Sequence, residues 1–263
     1  MPAEGLAHWK RVLVTRPAGE AADTLCAAVQ EAGFLVHSQP LLELHRLQSL
    51  APERRRMVLA LDRYQHIIFI SANAVHFGMA LVEEFWPQLP VGLNWYAIGT
   101  TTASRLESFG IAALTPGSVM SSEGLLAHAA LQNVKDQHVL IVKGEGGRDA
   151  LVRELSRRGA VVDELACYRR SAPDLPPGEL AVRLARWGID VILISSGEGL
   201  ANLQLLLSRA ETTKLKHMGL IVPSQRVARL ALEAGFDQVI TAENASDAAM
   251  LRALEESPQG TGD

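Results

Sequence analysis

The sequence predicts an α/β protein made of two similar parallel-sheet halves. Apolar runs rich in β-branched residues alternate with helical patterns along the whole chain. Those runs are continuous rather than alternating, as expected for strands covered on both faces. The order of the pieces also repeats about half a chain later. IIFISANAV resembles VILISSGEG, TTTASRL resembles SQRVARL, and SSEGLL resembles ASDAAML. Ser71 thereby recurs as Ser195, Arg105 as Arg229, Ser122 as Ser246 and Glu123 as Asp247, each 124 residues on. The segment from Arg11 to Gly33 recurs from His138, with Val12 matching Val139. Each half takes about half of the chain.

The elements follow in order. RVLVT (Arg11–Thr15) reads as a strand, and Ala22, Leu25, Cys26 and Val29 then fall at helical spacing before Gly33 stops the helix. HSQPLLELHR (His37–Arg46) reads as a connector. ELHRLQSLAPERRRMVLALD (Glu43–Asp62) reads as a charged amphipathic helix on an outer face. HIIFIS (His66–Ser71), WYAIG (Trp95–Gly99), HVLIV (His138–Val142), DVILIS (Asp190–Ser195) and GLIVP (Gly219–Pro223) are further strands. DELACYRRSAPDLPPG (Asp163–Gly178) is a second connector that runs from an extended stretch into proline-rich chain. If both connectors are crossovers, the first unit and the last third form one domain and the middle forms the other. A single cut near residue 130 is the competing division. The tail ESPQGTGD is expected to be disordered.

Composition removes several classes of function. The 263 residues carry a formal charge of −4, so no basic surface points to nucleic acid. The two cysteines, Cys26 and Cys167, make no disulfide framework and lack zinc-site spacing. The eight histidines are scattered. No apolar run approaches a membrane span, and MPAEGLAHWKR lacks the apolar core of a signal peptide. A cytoplasmic protein in a reducing compartment is the expectation. No helix reads as unusually apolar on its outer face, so a monomer is expected.

The candidate site lies at the strand ends. Small and polar residues recur there: Thr15-Arg16-Pro17, Ser71-Ala72-Asn73, Gly99-Thr100-Thr101-Thr102, Lys143-Gly144, Ser195-Ser196-Gly197 and Pro223-Ser224-Gln225. In open α/β sheets this is the ligand-binding edge. Each turn leads into a helix whose first N–H groups lack partners. Helix capping alone accounts for any single serine or threonine. The group as a whole suits an anion, and GTTTA offers three hydroxyls after a glycine that admits close approach. VKGEGGRDAL is neither a Walker loop nor a dinucleotide fingerprint. Gly144, Gly146 and Gly147 make it either a backbone nest for an anion, with Lys143 or Arg148 adding charge, or a solvated turn. Tyr168, in LACYRR, is either a neutral proton donor or an aromatic with its hydroxyl in water.

In this order and spacing, VLVTRP, IIFISANAV, AIGTTTASRLESFG, SSEGLL, VLIVKGEGGRDALVRELSRRGAVVDELACYRR and VILISSGEGL resemble the uroporphyrinogen-III synthase family over almost the whole chain. The resemblance implies two flavodoxin-like domains facing each other across a cleft that opens and closes. Residues 1–37 and 173–263 would form a discontinuous outer domain, 45–164 the inner domain, and 38–44 and 165–172 the connectors. It implies a cyclising lyase. Hydroxymethylbilane, an open-chain tetrapyrrole edged with carboxylates, loses water and closes with ring D inverted to give uroporphyrinogen III. No metal or cofactor is implied, and a transient contact with the upstream bilane synthase is expected.

On this resemblance Tyr168 is the candidate catalytic donor. Thr102 best matches the family's threonine, with Ser71 and Asn73 beside it. Ser195, Ser196 and Gly197 are the outer-domain counterparts. Arg16, Gly99, Thr100, Thr101, Ser122, Lys143, Gly144, Ser224 and Gln225 complete the expected substrate contacts. VPSQRVA departs from the family pattern, since a second Gly-Thr-Thr-Ala is expected there, and Ser224, Gln225 or Arg226 would have to substitute. Two other functions share some of these features. A non-catalytic two-lobed binding protein for an anion would need no tyrosine. A nucleotide-sugar glycosyltransferase would need an acidic residue for ribose or metal, which the strand ends lack.

Overall fold

The computed structural model describes residues 10–47, 51–117, 121–147 and 149–257. The chain divides into two compact units, one of residues up to Glu43 and from Ser171 onward, the other Leu44–Arg170. The first unit begins with β1 (Arg11–Val14), α1 (Glu20–Glu31) and β2 (Leu35–Ser38). The second holds β3 (Glu43–Arg46), α2 (Pro52–Leu59), β4 (His66–Phe69), α3 (Ala72–Phe85), β5 (Asn94–Ala97) and α4 (Thr100–Glu107). It continues with α5 (Ser122–Leu126), β6 (His138–Gly144), α6 (Ala150–Arg157) and β7 (Val161–Ser171). The first unit resumes with α7 (Glu179–Trp187), β8 (Val191–Leu193), α8 (Gly197–Leu206), α9 (Arg209–Lys214) and β9 (Gly219–Val222). It closes with α10 (Gln225–Glu233), β10 (Val239–Thr241) and α11 (Asp247–Glu255).

Each unit has one five-stranded sheet, ordered β10-β9-β8-β1-β2 in the first and β3-β7-β6-β4-β5 in the second. The continuous apolar runs are explained by burial on both faces, because successive side chains point to opposite sides. Leu13 packs into one cluster with Leu180, Leu184 and Leu200, while its neighbours Val12 and Val14 pack into another with Leu25 and Met250. In the second sheet Ile67 and Phe69 face α3, and Ile68 faces the cluster containing Leu125, Leu151 and Leu155.

Two sequence expectations change. Glu43–Arg46 is a strand, not the start of a helix, and the helix begins at Pro52. Proline is suited to a first helical turn, where its missing N–H costs nothing. The extended part of the second connector is as expected, but it belongs to the sheet rather than linking freely: β7 runs through Ser171, with Leu165, Cys167 and Tyr168 buried in the core. The tail expected to be disordered lies, from residue 258 on, outside the described residues, as does Arg148.

The repeat is real, but its register is one residue longer than the sequence match. The helix-capping positions pair as Ser71 with Ser196, Gly99 with Ser224 and Ser121 with Ser246. Strand pairing agrees: His66 lies beside Asn94 and Val191 beside Gly219. All are 125 apart in number. Adjacent serines at Ser121-Ser122 and Ser195-Ser196 let the letters align one step early. An N-cap must be the last extended residue, and Ser196 has that backbone.

The first unit depends on contacts between distant parts of the chain. The Asp190 carboxylate accepts the backbone N–H groups of Lys10 and Arg11 at 2.8 and 2.9 Å. Strand β1 sits between β8 and β2, and Val12 aligns with both Val191 and Val36.

Candidate active site at the strand ends

Among the described residues, five helices of at least five residues start at the C-terminal strand edge or its loops with a serine cap. Ser71, Ser121, Ser196, Ser224 and Ser246 each accept a backbone N–H three residues on. Those hydroxyls are therefore engaged in capping. Helix α4 differs. Its capping position is Gly99, at φ 93°, with no side-chain hydrogen bond to the first turn. Gly99 has no side chain to occupy the N–H groups of the first turn, and the helix dipole adds positive potential there.

The three threonines are not equivalent. Thr100 and Thr101 are exposed, whereas Thr102 is buried. The Thr102 hydroxyl donates to the Ile98 carbonyl at 3.0 Å. Its one proton is spent, so it has none for a carboxylate. In the corrected register its counterpart is Val227, also buried. The pattern explains why: this position faces the core, where Thr and Val have the same shape. Thr101 corresponds to Arg226.

Tyr168 sits late in β7, where a register shift between Lys143 and Gly144 brings Gly144 opposite it. Its ring stacks on Phe77 at 5.1 Å between centroids. The other face lies on Gly144, where an added β-carbon would come within 2.7 Å of the ring. Gly144 is thus a packing position, and its backbone is buried. The Tyr168 hydroxyl approaches Ser71 Oγ at 3.4 Å, longer than an ordinary hydroxyl hydrogen bond. Asn73 is exposed in the first turn of α3.

On the other face of the same sheet edge lies a cleft of about 320 Å³. Ile70, Ile98 and Ile141 form its floor, and Ser121, Ser122, Glu123, Lys143 and Glu164 stand on its rim. Lys143 is buried and forms an ion pair with the half-exposed Glu164. Sequence reading found Lys143 but not Glu164. Its signal was the alternation in VVDELACYRR, which puts every second residue of β7 on one face.

In the first unit, Arg16 has its guanidinium filled by the protein. It donates to Ser195 Oγ at 3.2 Å, to the carbonyls of Ala21 and Ala245, and to Asp247. Arg16, expected as a substrate contact, clamps the ends of β1 and β8 to the start of α11. Sequence reading did not single out Asp247 as its partner. The Arg226 guanidinium lies over Gly197, and Gln225 is exposed beside it. Burial holds the Cys167 thiol up at about 12, and it donates to the Lys143 carbonyl. Among the described residues no group of three or more His, Cys, Asp or Glu side chains is arranged to hold a metal ion.

Residues 23–252 match the family profile described as uroporphyrinogen-III synthase HemD. The chain belongs to this family. A uroporphyrinogen-III synthase of Escherichia coli K12 is 34% identical over 249 residues, covering 93% of this chain and 99% of that protein. One from Salmonella typhimurium LT2 is 33% identical over 246 residues, with the same coverage. Crystal structures of uroporphyrinogen III synthases share the fold. That of a mutant enzyme from Thermus thermophilus has a TM-score of 0.59 at 19% identity, over 94% of this chain and 100% of that one. That from Helicobacter pylori 26695 has a TM-score of 0.59 at 14% identity, over 92% and 97%. Among the described residues no helix is long and apolar enough to cross a membrane.

Proposed function

We propose that the strand edge of the Leu44–Arg170 unit binds a carboxylate-edged linear tetrapyrrole and drives its ring closure. The enzyme is a uroporphyrinogen-III synthase, a cyclising lyase of heme biosynthesis. The observation that carries the placement is the uncapped start of α4 at Gly99 together with the exposed hydroxyls of Thr100 and Thr101, which the uncapped starts at Gly19 and Asp149 lack. A carboxylate there receives the N–H groups of Thr100 and Thr101 and their exposed hydroxyls. Such charge-assisted bonds are stronger than neutral ones, and they require no buried cation. Ser122 and Lys143, on the neighbouring rim, are further substrate contacts in this reading. In the other unit Ser195 holds the Arg16 guanidinium and Ser196 caps α8, while Gln225 presents a contact at the surface.

Loss of the terminal hydroxyl of hydroxymethylbilane starts the reaction. Tyr168 Oη gives that hydroxyl a proton, water leaves, and an azafulvene cation remains. Ring D attacks through its substituted carbon to a spiro intermediate, which fragments and recloses with the ring inverted. The last closure expels a ring proton, which restores Tyr168. Phe77, Gly144 and Ser71 fix the phenol's position. Holding the bilane's ends in one geometry is the larger contribution, since orientation alone supplies roughly 7–11 kcal/mol in favourable cases.

The test is a coupled assay in which an upstream synthase supplies hydroxymethylbilane and the oxidised product is separated by isomer. Type III product that depends on this protein supports the reading, and type I alone at the uncatalysed rate overturns it. Tyr168→Phe is expected to cost on the order of 10²-fold in turnover. Unchanged turnover would remove the tyrosine from the donor role.

A further inference from the structure

We infer that Glu164 is an internal stand-in for a substrate carboxylate, and that the Lys143 cleft takes a carboxyalkyl arm of the ligand in exchange for it. The inference rests on the functional reading above and names the occupant of one part of that site. Lys143 has 9% of its side chain exposed, whereas Glu164 has 39%. A buried ammonium without a counter-charge is costly, so Lys143 needs a carboxylate beside it. Glu164 supplies it from the solvent side, where it is free to swing out. The floor below is apolar, formed by Ile70, Ile98 and Ile141, with Leu151 and Val152 at the wall. A group that fills this space is a short alkyl chain ending in a carboxylate. Its methylenes cover the isoleucines and its carboxylate reaches Lys143 Nζ.

The same chemistry makes Glu164 an opponent of binding. An arriving carboxylate meets a Lys143–Glu164 pair of zero net charge, with the Glu123 carboxylate also on the lining, until Glu164 leaves. Glu164→Gln keeps a hydrogen-bond acceptor on Lys143 and removes the competing charge. Removing an acidic side chain from the cleft therefore strengthens binding in a way that general loss of packing does not.

The experiment measures the dissociation constant of uroporphyrin III, the oxidised octacarboxylate product, by calorimetry on the full chain. Glu164→Gln is expected to bind roughly tenfold tighter, and Lys143→Met roughly tenfold weaker, the scale of one hydrogen bond to a charged group. In the double variant the gain from Glu164→Gln disappears. Glu164→Ala serves as a second variant, and thermal melting shows that each protein is folded. Unchanged or weaker binding by a folded Glu164→Gln or Glu164→Ala protein overturns the inference, even with wild-type protein forming type III product. A wild-type protein that neither binds uroporphyrin III nor forms type III product overturns the functional reading, and this inference with it.

Discussion

The ring of Tyr168 rests on the bare backbone of Gly144, close enough that a β-carbon there would stand 2.7 Å from the phenol's Cζ. Only a glycine permits that approach without moving the ring. Gly144→Ala is expected to push Tyr168 off its position, costing about 1–3 kcal/mol of stability, as overpacked cores do. It should also lower turnover. Urea unfolding and the isomer assay measure the two effects, and wild-type values in both would show that the ring accommodates the methyl freely.

Thr102 donates its only hydroxyl proton to Ile98 and faces the core. Thr102→Val should keep the type III product and lose about 0.5–1.5 kcal/mol of stability, the value of one hydrogen bond. The valine at 227 occupies the equivalent place in the other unit. A large loss of turnover at unchanged stability would return Thr102 to the substrate.

Thr100→Pro tests the backbone directly. Proline is accepted at a first helical position, and Gly99 precedes it in an extended ψ of 155°. The fold should persist while one N–H of the proposed anion cradle is lost. Roughly tenfold weaker uroporphyrin III binding is expected, read by calorimetry.

The two thiols should differ in reactivity. Burial raises Cys167 to about 12 and encloses it, while Cys26 is only partly buried. At a mildly alkaline pH an alkylating reagent is expected to label Cys26 in the native protein and Cys167 only after unfolding. Mass spectrometry of digested protein locates the label. Rapid native labelling of Cys167 would mean that β7 opens readily.

Glu154 has its carboxyl held down at about 2 by hydrogen bonds from Arg157 and then Arg158. A depressed carboxylate stabilises the fold above the usual carboxylate range, and the effect fades as pH falls towards about 2. The pair is solvent-exposed, so the contribution is small. Carbon-detected NMR titration should find the Glu154 midpoint near about 2 in the wild type and higher in Arg157→Gln. Equal midpoints would mean that Arg158 alone sets it.

The strands and their order were legible because burial on both faces leaves a continuous apolar run, as at HIIF and GLIV. The serine caps were legible as a class, since Ser71 and Ser196 must precede their helices. Their register was not, because paired serines look alike in sequence and only strand alignment separates them. Glu43–Arg46 misled because its charges fit a helix face, whereas pairing beside β7 decides its state. The direction of each threonine in GTTTA was equally hidden. Thr102 differs from Thr101 only in which side of one turn meets the core. The charges had no local signal at all: Arg16 finds Asp247 across 231 positions.

That last distance bears on how the protein is made. Strand β1 emerges from the ribosome early, but one of its two sheet neighbours, β8, begins only at Val191. Chains grow at about 5–20 residues per second, so β1 waits on the order of ten seconds for that partner. Leu44–Arg170 holds its own five strands and is complete before β8 is translated. The middle of the chain can therefore fold during synthesis, while its beginning has only β2 to pair with and stays open to chaperones and proteases until β8 arrives. Damage to Asp190 or Asp247 is then a fault of biogenesis, seen in how much protein accumulates more than in how fast each finished molecule works.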